Sequence, residues 1–158
     1  MKIAEFEQKH NVTLMLKKKS WHMRFVGFFL GKNFMEHFWS TFRLPFQKKA
    51  IIVYPDSNDL SGYEEIPEWA MGILNHELIH VKDMSTGWGL FKMFWLLWLL
   101  PLPTIFSGRW YIERYAYLND IKVGRKTVES AADTLWSGYW WCWPKSLMRK
   151  WFNKKIKE

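Results

Sequence analysis

The chain has 158 residues, a formal net charge of +8 and a single cysteine, Cys142. That length suits one domain, residues 1–158, with room for a real core but not for a separate substrate domain. One thiol excludes an intramolecular disulfide framework, and no internal repeat, long linker or low-complexity run divides the chain.

The opening segment, MKIAEFEQKH, carries Glu5 and Glu7 and has no apolar core ahead of Lys17, Lys18 and Lys19. It therefore does not read as a secretory signal peptide, and a cytoplasmic location is the expectation. The three lysines read as mostly solvated charge. Up to about Phe46 the chain is amphipathic, with apolar segments at residues 25–30 and 34–42 whose period does not separate strand from helix. Residues 50–54, AIIVY, are clearer: β-branched side chains closed by Pro55, Asp56 and Asn58 predict a strand.

A helix follows. Glu64, Glu65, Pro67 and Glu68 supply a proline and acidic groups where a helix starts, and Trp69, Ile73, Leu74, Leu78 and Ile79 continue it. In its middle stand His76, Glu77 and His80 in HExxH spacing. Positions i and i+4 share a helix face, so two imidazoles can converge on one metal while Glu77 reaches the water that the metal activates. Apolar residues on nearly every side imply burial, and buried polar groups need partners. A metal is the economical partner, and a hydrogen-bonded core network is the competing account. A catalytic zinc takes a third protein ligand. The metzincin pattern is excluded, because Asp83 would be glycine and Thr86 histidine.

Residues 84–107 are apolar and rich in Trp and Leu, interrupted only by Lys92. Pro101 and Pro103 break the run, and a single crossing would leave His80 and Glu113 on opposite sides of a bilayer. The stretch reads as a buried hairpin, a lid or an interfacial element. Residues 109–124 then predict a second helix, with Trp110, Ile112, Tyr115, Ala116 and Ile121 as its apolar positions and an end near Gly124. It offers Glu113 as the third ligand; a solvated glutamate paired with Lys or Arg is the alternative. The cluster WSGYWWCW at residues 136–143 reads as core packing. The tail from Ser146 reads as a basic amphipathic helix with Leu147, Trp151 and Phe152 turned inward. No segment matches a recognised nucleic-acid module, so nucleic acid is not the expected partner.

His76, Glu77 and His80 followed by Glu113, Ala116 and Tyr117 resemble the gluzincin metallopeptidases, whose HExxH is followed by a downstream glutamate, often as ExxA. More loosely, the chain is similar to small bacterial and phage-type metallopeptidases, with residues 50–55 and 99–103 in the places of an extended segment before the motif and a proline-containing apolar stretch after it. The resemblance implies an α+β, zincin-like minimal metallopeptidase fold, with an active-site helix and a second ligand-bearing helix packed with a small sheet. It implies Zn2+ held by His76, His80 and Glu113, Glu77 as general base, and a peptide or protein substrate, which the strand at residues 50–54 is able to receive by main-chain pairing, an ordinary buried strand being the alternative. Many gluzincins carry an aspartate where this chain has Tyr117, so Asp83 and Asp120 are the candidates to accept a ligand imidazole's second N–H, with plain surface carboxylates as the alternative.

For the group that stabilises an oxyanion, Tyr139 is the candidate after the turn at Ser137 and Gly138, with Tyr117 and Arg109 as alternates. A packed aromatic is the competing role for Tyr139. A different function class remains open, a non-catalytic zinc-stabilised structural or binding protein, phage- or membrane-surface-associated. Peripheral membrane contact through the apolar stretch and basic tail is a further expectation.

Overall fold

The strand predicted at residues 50–54 is the centre of a three-stranded sheet in the computed structural model, which describes residues 1–43, 47–85, 109–138 and 143–158. The architecture is mixed α+β, and the chain divides into two compact units, Met1–Val81 and Lys82–Glu158.

In the first unit, α1 (Ile3–His10) leads through Asn11 into β1 (Val12–Leu16). Asn11 takes φ 53°, a left-handed conformation that asparagine tolerates better than most residues, and its N–H caps α1 on the Gln8 carbonyl. A 3-10 turn, Lys17–Lys19, passes to α2 (Trp21–His37), whose start is capped by the Ser20 hydroxyl accepting from Met23 N–H at 3.4 Å. Then come β2 (Ser40–Phe42) and β3 (Ala50–Tyr54). β3 lies between the other two, parallel to β1 with Val12 opposite Ala50, and antiparallel to β2 with Thr41 opposite Ile52. Parallel strands cannot be joined by a tight turn, and the connection from β1 to β3 runs through α2. All five β3 residues are buried, which is why AIIVY is an unbroken apolar run rather than an alternating one. Met23 of α2 packs with Ile51 and Val53, joined by Met15 and Phe42.

Of the two readings of residues 50–54, this topology supports an ordinary buried strand over one that receives a substrate backbone. β3 is paired on both sides, with β1 along its whole length and with β2 at Ile51, Ile52 and Val53, so its main-chain groups are committed. The N-terminal ambiguity resolves as one long helix, α2, across residues 25–30 and a short strand, β2, at its far end.

α3 (Glu68–Ser85) follows a strap in which the Lys2 and Glu65 backbones bridge and Ile66 N–H donates to the Met1 carbonyl. Pro67 opens it: the N–H groups of Ala70 and Met71 both donate to the Pro67 carbonyl, and proline loses nothing where an N–H has no helical partner.

The second unit contains α4 (Arg109–Lys122), α5 (Val128–Gly138) and α6 (Lys145–Lys157). Trp110, Tyr117 and Leu118 of α4 meet Ala131, Ala132 and Leu135 of α5 and Met148 and Phe152 of α6 in one core. On α6 the buried stripe is Met148 and Phe152, with Trp151 at its margin. Leu147 is exposed, against expectation, because it precedes the stripe by one residue and so lies about 100° around the helix from Met148. No helix among the described residues is long and apolar enough to cross a membrane. Most of the apolar stretch at residues 84–107 lies outside the described residues.

Candidate metal centre

The i, i+4 spacing on α3 places the His76 and His80 rings edge to face, with centroids 5.2 Å apart. His80 is buried, His76 half-buried, and Glu113 of α4 buried. His76, His80 and Glu113 each offer one ligand atom, and these atoms all lie within 4.8 Å of one another. Two imidazoles and a carboxylate suit zinc and related first-row ions. The group can hold a metal ion.

Glu77 stands apart from this group. Its carboxylate Oε2 accepts a hydrogen bond from the Thr41 hydroxyl of β2 at 2.5 Å, in the range of charge-assisted O–H···O bonds. Thr41 is 6% exposed and Glu77 5%, so the bond is shielded from water. Lys17, the residue that follows β1, is fully buried at 0% exposure. Burial pushes its ammonium down to about 7, while the negative charge of Glu77 acts in the opposite direction. Lys17 is therefore the exception among lysines read as mostly solvated charge. Lys17 opens the 3-10 turn after β1 and is buried beside Leu16, whereas Lys18 and Lys19 are exposed.

The remaining nominated residues are distributed as follows. Tyr139 lies outside the described residues. Arg109 opens α4, and Tyr117 is buried with the Lys126 ammonium 5.6 Å from its ring centroid. Asp120 is almost fully buried, with the Arg125 guanidinium 3.4 Å from its carboxylate, while Asp83 is half-buried near the end of α3. His10 ends α1 against Phe6, His22 stacks on Trp21, and His37 ends α2. None of these three histidines belongs to the ligand group. Thr41 and Lys17 carry no motif signal. Their one sequence cue is position, Thr41 in an apolar segment and Lys17 directly after one.

Comparison with known proteins identifies no relative: no family model, curated protein or solved structure matches the chain.

Proposed function

We propose that this chain is a zinc-dependent peptidase of zincin-like design, with His76, His80 and Glu113 as the metal ligands and Glu77 as general base. The observation that carries this reading is the ligand group itself: two histidines in HExxH spacing and a glutamate 33 positions after the second of them offer ligand atoms within 4.8 Å of one another. A zinc ion held there would supply Lewis acidity, lowering the pKa of water and polarising a scissile carbonyl. Thr41 holds Oε2 of Glu77, leaving Oε1 to take a proton from the attacking water and pass it to the leaving amine. Shielding from solvent strengthens each of these polar contacts.

Metal analysis of the purified protein beside His76→Ala and Glu113→Ala, together with cleavage of a peptide library, tests the proposal. Near-stoichiometric zinc in the wild type, loss from both variants and cleavage by the wild type alone are expected. Zinc retained by both variants would overturn the ligand assignment. Zinc bound by the ligand set without cleavage would make the chain a zinc-stabilised binding protein. Iron in place of zinc would point to the oxidative chemistry that two histidines and one carboxylate also support.

A further inference from the structure

The Glu77 carboxylate has two equivalent oxygens and a soft terminal torsion, so a base that must meet one water in one orientation needs a group to fix it. The structure holds such a group. The Thr41 hydroxyl donates to Oε2 at 2.5 Å, both side chains are buried, and Thr41 sits on a strand whose register is pinned opposite the fully buried Ile52. A β-branched side chain on a paired strand has little χ1 freedom. We propose that Thr41 is a positioning residue that fixes Oε2 of Glu77 and thereby presents Oε1 as the proton-accepting atom, an inference that rests on the peptidase reading above.

Burial supports the assignment. Both side chains are buried, so loss of the threonine hydroxyl leaves Oε2 of Glu77 with little bulk water to replace it. Valine is threonine's nearest match in shape and removes the donor, whereas serine keeps the donor and removes a methyl group.

The experiment uses the full chain loaded with zinc and two readouts. The first is a double-mutant cycle of Thr41→Val and Glu77→Ala read by denaturant unfolding, which measures the contact whether or not the protein is active. The expected coupling is about tenfold in the unfolding equilibrium constant. The second is peptide cleavage. In Thr41→Val, kcat falls by about tenfold to a hundredfold with KM within about twofold, and Thr41→Ser recovers most of the loss while zinc content stays constant. Wild-type kcat in an active Thr41→Val protein overturns the positioning role and leaves the peptidase reading in place, as does additivity in the cycle. A coupled Thr41 and Glu77 in a wild type that cleaves nothing overturns the peptidase reading and, with it, the catalytic use of Thr41.

Discussion

Replacing Glu77 with glutamine keeps a carbonyl oxygen for the Thr41 hydroxyl but removes the basic atom, so the two roles of this side chain separate cleanly. Glu77→Gln retains zinc, since Glu77 is outside the ligand group, and loses at least about a hundredfold in peptide cleavage. Zinc content and turnover measured on one preparation check it, and unchanged turnover removes Glu77 from the mechanism. Lys17 gives a second prediction, in pH. Its folded pKa of about 7 is below the ordinary value of 10.5, so between these limits the unfolded chain binds more protons than the folded one. Stability contributed by this group therefore rises with pH across that window, by at most about 1.4 kcal/mol per pH unit, and is level below it. Lys17→Met removes this slope. Urea denaturation of both proteins from neutral pH to pH 10 is the measurement, and parallel pH profiles would show that Lys17 does not titrate as described. The HExxH triplet is legible in the sequence because its geometry is local to one helix. Thr41 is not, since it stands 36 residues from Glu77 on a three-residue strand, and no period links the two. Lys17 is hidden by its own neighbours, because a run of three lysines looks like solvated charge.

At the scale of elements, the end of α4 has the clearest chemistry. Gly124 has φ +76°, its N–H donates to the Ile121 carbonyl, and Arg125 N–H donates to the Asp120 carbonyl at 2.8 Å, the paired bonds of a Schellman cap. A methyl group added at Gly124 meets nothing within 4 Å, so Gly124→Ala costs only backbone strain, about 1 kcal/mol in a denaturation midpoint. Phe152→Ala costs more, about 3–5 kcal/mol, because Phe152 is fully buried against Trp110 and Trp151. Retention of wild-type stability by Phe152→Ala in the same measurement would contradict the packing of α6. Elements with strong boundary signals are legible: Pro67 marks the start of α3, Pro55 the end of β3 and Gly124 the end of α4. β1 and β2 lack such punctuation and are specified by tertiary pairing with β3, where propensity is a weak guide. α2 escapes assignment because exposed Trp21, Phe25 and Phe28 blur the polar face from which a period is read.

Across the whole molecule, the basic charge has uses inside the fold that need no polyanionic partner. Lys154, Lys155 and Lys157 occupy the last turn of α6, where cations favour the carbonyl end of the helix, and Lys145 pairs with Asp133 of α5 at 2.7 Å. The ligand group has a different global consequence. If the proposed zinc site is real, two imidazoles and a buried carboxylate assembled only in the folded chain would bind the ion far better than the unfolded chain does, so free zinc would raise stability by mass action. At a hundredfold excess over Kd the gain is about 2.7 kcal/mol. For a chain of this length that is a rise in melting temperature of roughly 5–10 °C. The rise is reversed by chelation, absent in His80→Ala and preserved in Glu77→Gln, whose ligand group is intact. Thermal unfolding with and without zinc across these three proteins reads this directly. An equal rise in wild type and His80→Ala would place the ion elsewhere on the chain, and no rise in the wild type would leave HExxH as a buried polar cluster with no metal to bind.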